Sequence, residues 1–111
     1  MKVSELSGAL LDYWVAVAQG NQEMRLRADA CEIRIHPDFE FMPYSPSTAW
    51  AHGGPIIERE GMTVGTAVSD ECAWRASYRL GESKCYGPTP LIAAMRAKVA
   101  SHYGDEVPDV S

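Results

Sequence analysis

The stretch from Tyr44 to Glu60, Y-S-P-S-T-A-W-A-H-G-G-P-I-I-E-R-E, constrains this chain more than any other. Pro46, Gly53, Gly54 and Pro55 crowd into it, and that density argues against a regular helix or central strand throughout. Yet Tyr44, Trp50, Ile56 and Ile57 are too apolar for a solvated linker. An ordered loop that holds polar tips on a rigid scaffold satisfies both conditions, and such loops often carry function.

The flanking sequence predicts that scaffold. Leu6, Leu10, Leu11, Trp14, Val15 and Ala18 recur at spacings of three and four, one buried face of a first helix reaching about Gln19. Ser4 or Ser7 caps it, and Gly20 suits the left-handed position that ends helices. The polar run Asn21 to Asp29 carries no clear period. Cys31 to His36 alternates as a half-buried strand, Pro37 and Asp38 break it, and Phe39 to Met42 extend the sheet after a bend. Ile56 to Glu60 reads equally as a short strand or as a single helical turn starting at Pro55, and Gly61 ends it. Thr63 to Val68 is β-leaning, interrupted by Gly65, and Ser69 to Glu71 marks a turn. Trp74, Ala76 and Tyr78 alternate with Arg75, Ser77 and Arg79 as a further strand, followed by a loop from Leu80 to Lys84.

The last helix has the plainest signals. Thr89 is a good N-cap, Pro90 sits where proline is favoured, Leu91, Ile92, Met95 and Val99 form an apolar stripe, and Gly104 terminates it. Residues 106–111 read as a loose acidic tail. No repeat, low-complexity segment or linker divides residues 1–111, so one domain is expected. The class is α+β: a short-stranded antiparallel sheet with an N-terminal and a C-terminal helix packed on it.

Charge and cysteines narrow the setting. Fifteen acidic residues against ten basic ones give a net charge of −5, which disfavours DNA, RNA or an anionic membrane as a nonspecific partner. The first fifteen residues place Glu5 and Asp12 inside their hydrophobic pattern, so neither a signal peptide nor a membrane span is expected. Cys31, Cys72 and Cys85 are an odd set without close pairs, which fits reduced thiols in a cytoplasm.

Three blocks carry a family resemblance: L-S-G-A-L-L-D-Y-W-V-A-V-A-Q-G at Leu6 to Gly20, the Tyr44 to Glu60 stretch, and Y-G-P-T-P-L-I-A-A-M-R at Tyr86 to Arg96. Together the chain resembles the NinX family, small accessory proteins of lambdoid phages and prophages. The resemblance spans nearly the whole chain, with the middle segments matching only loosely. It implies a phage or prophage origin and action in the cytoplasm of a bacterial host. It implies no activity, and it assigns no catalytic or binding residue.

The residues themselves offer one constellation. Tyr44, Ser45, Ser47, Thr48, Trp50, His52 and Arg59 surround Gly53 and Gly54. Glycines admit a ligand close to backbone N–H groups, and an aromatic ring stacks on a flat base. The alternative is that Trp50 plugs a small core and Gly53-Gly54-Pro55 makes a turn. Thr89 at a helix start offers a hydroxyl and a favourable dipole to phosphate, or is simply a cap. Arg75 lies either on a wet strand face or toward an anion. His36, His52 and His102 lack metal-ligand spacing, Cys72 and Cys85 sit in no nucleophile motif, and no dinucleotide or P-loop fingerprint is present.

The expectation is therefore a non-enzymatic accessory protein without cofactor or metal, a homo-oligomer that captures a small nucleotide-like ligand, such as a host anti-phage defence signal. Trp50 or Tyr44 stacks on the base, Gly53, Gly54 and Thr89 present donors, and Arg59 or Arg75 meets phosphate. The competing class is a protein–protein adaptor acting on a host protein. A nucleic-acid-binding domain, suggested by the helix–sheet–helix order, is disfavoured by the acidic charge.

Overall fold

The computed structural model describes residues 1–20, 23–27, 29–67, 73–78 and 84–108. A short 3-10 helix (Val3–Glu5) leads into α1 (Gly8–Gln19), followed by β1 (Glu23–Arg27), β2 (Ala30–Arg34) and β3 (Met42–Pro43). Next come α2 (Trp50–Glu60), β4 (Thr63–Thr66), β5 (Trp74–Ser77), β6 (Cys85–Gly87) and α3 (Pro90–Tyr103).

The composition of α3 dictates its central place. Leu91, Ala93, Ala94, Met95, Ala97 and Val99 are all buried, so the helix is apolar well beyond one stripe and needs cover on several sides. It packs on α1, on α2 and on the sheet of β4, β5 and β6. Its alanines permit close approach. A side chain at Gly87 of β6 would have its Cβ 2.8 Å from the Ala93 nitrogen, so glycine lets that strand lie directly on the helix. α1 carries the other sheet through β1 and β2, burying Leu11, Trp14, Val15 and Ala16.

The α+β class and the antiparallel pairing stand, with helices near both ends of the chain. The strands, however, fall into two sheets rather than one, in orders β1-β2-β3 and β4-β5-β6. Pro43 ends β3 and has no N–H to continue a ladder, and α2 then carries the chain across to α3 before β4 begins.

The run around Met24 shows why polar sequence can still be strand. Met24 faces Ile33 and Leu26 faces Cys31 on the α1 side, while Glu23 faces Arg34 and Arg25 faces Glu32 on the outer side. Arg25 meets Glu32 at 2.7 Å, and its guanidinium lies 4.0 Å from the centre of the Phe41 ring. Charge pairs across the strands hold the outer face of a run that shows no clear period in the sequence.

Other expectations change in detail. α2 begins at Trp50 rather than Pro55, so the Gly-Pro triplet lies inside a helix. Pro55 deprives the Ala51 carbonyl of its N–H donor four residues on, a loss that exposure of Ala51 to solvent makes cheap. Ser7 occupies the N-cap of α1 without a side-chain bond, and Gly20 at φ 76° closes the helix as expected. Leu6 sits just ahead of α1, fully buried. The strand at Cys31 stops at Arg34, and the ladder at Thr63 stops at Thr66. β6 had no signal in the sequence reading.

Thr89 caps α3 by accepting the Ile92 N–H at 3.1 Å, with Pro90 behind it. The segment after Gly104 is fastened as far as Val107 rather than loose. Val107 donates its N–H to the Met1 carbonyl at 2.9 Å, Lys2 and Glu106 form a bridge, and the Val107 side chain is buried. The expected turn at Ser69 to Glu71 and most of the Leu80 to Lys84 loop lie outside the described residues.

Candidate functional site

The loop between β3 and α2 is held from behind by four side chains. Asp12, buried on α1, accepts the Ser47 N–H at 2.8 Å. His52 accepts the Ser45 N–H through Nδ1 at 2.9 Å, which leaves its ring proton on Nε2 in the neutral tautomer. Tyr44 lies against His52 with ring centroids 5.5 Å apart and donates its hydroxyl to Gln19 at 2.8 Å. The Ser45 carbonyl accepts the Thr48 and Ala49 N–H groups at 3.1 and 2.7 Å, which turns the chain into α2.

Burial sets the electrostatics of this support. It raises the Asp12 carboxyl above its ordinary value, opposed by the hydrogen bond from the Ser47 N–H. It pushes the Tyr44 phenol up to about 12, against the Gln19 hydrogen bond. Both groups serve as structural anchors behind the loop.

In front of the loop, Ser47, Thr48 and Trp50 face Thr89, Pro90, Leu91 and Ile92 across an open cleft of about 360 Å³. The Tyr44 stretch and the start of α3 thus meet in space, which the sequence left open. Trp50 is 57% exposed and does not plug the core. Two helix starts converge on the cleft. The first N–H groups of any helix lack internal partners, and Ala49 has no side chain to cap those of α2. The lining is mainly apolar, with the exposed hydroxyls of Thr48 and Thr89 and two helix-start dipoles.

Of the residues singled out from sequence, Thr48, Trp50 and Thr89 line this cleft. Tyr44, Ser45 and His52 form its support. Gly53 is a packing residue: a Cβ there would stand 2.4 Å from the Pro46 carbonyl oxygen and 2.7 Å from Leu91. Gly54 has room, with the Trp50 ring 3.8 Å from a built Cβ. Arg59 lies in the last turn of α2, about 13 Å along the axis from Trp50. Arg75 lies on β5 and donates Nε to the Thr66 carbonyl at 3.2 Å. Neither arginine lines the cleft.

Sequence reasoning missed Asp12, although a signal was present. An acidic residue between Leu11 and Val15 on a buried helical face requires a partner inside, and the Ser47 N–H is that partner.

The thiols do not favour nucleophilic chemistry. Burial pushes Cys31 up to about 12 and Cys85 up to about 11, the opposite of an activated cysteine. Cys72 lies outside the described residues. Among the described residues, no three metal-type side chains cluster, and no helix is long and apolar enough to cross a membrane.

No curated protein matches the chain. The family model described as "Bacteriophage P22, NinX" matches residues 2–102, which take in both sheets, the cleft and all of the three helices but Tyr103. The chain therefore belongs to the NinX family of bacteriophage proteins.

Proposed function

We propose that this phage accessory protein captures a small anionic aromatic ligand of nucleotide type in the cleft between the starts of α2 and α3. The observation that supports the reading is Trp50, largely exposed on one wall while Thr89 and Pro90 open the helix on the other. A base stacks on the indole, hydroxyls of Thr48 and Thr89 take polar edges, and the anionic group lies toward the two helix starts. The Thr89 oxygen accepts from Ile92, so its own hydrogen remains to be donated. The volume suits a small molecule, for which clefts of about 300–1,000 Å³ are usual. Among the described lining residues there is no carboxylate, imidazole or thiol, which favours capture over turnover. In a host cell such capture acts as sequestration, with an anti-phage defence signal as the fitting target.

The placement of Arg59 and Arg75 alters one part of the expectation: helix dipoles, not arginines, meet the anion. The test is titration with a panel of mononucleotides, dinucleotides and cyclic nucleotides, read by tryptophan fluorescence and calorimetry. Trp50→Ala should abolish binding with an unchanged melting temperature, and Arg59→Ala should bind as the parent does. Saturable binding that survives Trp50→Ala places the ligand elsewhere and overturns the assignment.

A second reading has its own observation. Ile35, Phe39 and Met42 are 53%, 57% and 51% exposed near one end of the first sheet, which favours an adaptor that docks a host protein. Charged substitutions at Ile35 and Phe39 would then release a co-purifying partner, while Trp50→Ala would retain it.

A further inference from the structure

The backbone of β1 has an unused side. Tyr44 donates its N–H to the Cys31 carbonyl at 2.9 Å, so the backbone groups of Cys31 point toward β3. Along a strand these directions alternate, so those of Glu32 point toward β1, and Arg25 opposite it points inward. Met24 and Leu26 therefore direct their N–H and C=O groups to the outer edge. Among the described residues no strand pairs there. An open edge of this kind is a template for another strand unless the chain blunts it. The opposite edge is blunted: β3 has two residues and ends in Pro43. β1, with five residues, is the longest edge of either sheet and contains neither proline nor glycine.

We propose that two copies of this chain pair through β1, antiparallel and with Arg25 on the two-fold axis. The sequence Glu23-Met24-Arg25-Leu26-Arg27 is self-complementary in that register. Reversed against itself, Met24 meets Leu26 of the second copy and Glu23 meets Arg27 of the second copy. Apolar side chains then face one another on the α1 side, and opposite charges face one another on the outer side. Leu26, 37% exposed in the single chain, gains a neighbour, and the outward backbone groups of Met24 and Leu26 are satisfied.

Arg25 meets its own counterpart, an unfavourable pairing taken alone. Each Arg25 is already bound to Glu32 of its own chain at 2.7 Å and lies over Phe41, which tempers the repulsion. The result is a continuous six-stranded sheet with closed two-fold symmetry, β3 forming both outer edges.

Light scattering after size exclusion tests the state across a dilution series. The parent chain should run at about twice its 12.2 kDa mass and dissociate on dilution. Leu26→Lys, which places a charge at the edge without touching the β2 ladder, should run as a monomer with an unchanged circular dichroism spectrum. Register is tested separately by cysteine trapping. Arg25→Cys should give a covalent dimer on mild oxidation, reversed by reductant, because facing residues at a non-hydrogen-bonded site lie close. Arg27→Cys, which faces residue 23, should not exceed the parent chain oxidised in parallel. A single-chain mass for the parent at every concentration overturns the proposal. So does equal trapping of the two cysteine variants, or a dimer that persists in folded Leu26→Lys.

Discussion

The carboxylate of Asp12 on α1 accepts the backbone N–H of Ser47 at 2.8 Å, in a place where both are buried. One hydrogen bond thus joins the first helix to the loop that forms a wall of the cleft. Asp12→Ala should cost about 1–3 kcal/mol by leaving the Ser47 N–H unpaired in the interior. Asp12→Asn keeps an acceptor and removes a carboxylate that burial holds above its ordinary pKa. Urea unfolding at neutral pH should therefore rank Asp12→Asn at or above the parent chain and Asp12→Ala clearly below it.

The adjacent glycines of α2 should respond in opposite directions. Gly53→Ala drives a methyl into the Pro46 carbonyl and Leu91, an overpacking that costs about 1–3 kcal/mol. Gly54→Ala meets only the Trp50 ring at ordinary contact distance and should stabilise by about 0.5–1 kcal/mol through helix propensity. Thermal melts of the two variants decide the point, and equal shifts would contradict the packing described.

Glu60 links α2 to the far side of α3. Its carboxylate accepts from Lys98 and from the Tyr78 hydroxyl, and the Lys98 bond holds its pKa below the usual 4.5. A depressed carboxyl contributes stability that is present above pH 4.5 and lost as pH falls through the lower folded value. Glu60→Gln should therefore be less stable at pH 7 and show a shallower decline on acidification. Stability measured against pH for both chains checks the sign.

Thr89 has two roles that can be separated. Thr89→Ala removes the bond to the Ile92 N–H and should cost about 1 kcal/mol, whereas Thr89→Ser should retain most of the stability. If the hydroxyl also serves the cleft, Thr89→Ser should restore ligand affinity along with the cap.

The elements legible in the sequence were those whose signals are local. Thr89-Pro90 and Gly20 specify helix ends through their own conformational preferences, and Cys31 to Arg34 alternates against one helix. α2 was legible only in part, because its start depends on tertiary supports: His52 and Asp12 hold the preceding turn, and Gly53 is needed by Pro46 and Leu91. β1 was hidden because its outer face is made of charges that pair only once β2 lies beside it. The same holds for the site. Trp50 and Thr89 could be named from residue type, but their meeting across a cleft is a property of the α2 and α3 packing.

The central position of α3 also governs when this protein can form during synthesis. α1 emerges from the ribosome first, yet one of its main partners is a helix that begins at Pro90. Until α3 has cleared the exit tunnel, the sheet of β1, β2 and β3 has α1 to close upon, but the sheet of β4, β5 and β6 lacks its main partner. The nascent chain is thus committed to an early closure of α1 on its own sheet and a late one, in which β4, β5 and β6 stay exposed until α3 arrives. Holdase capture during synthesis should end abruptly on release of the last helix.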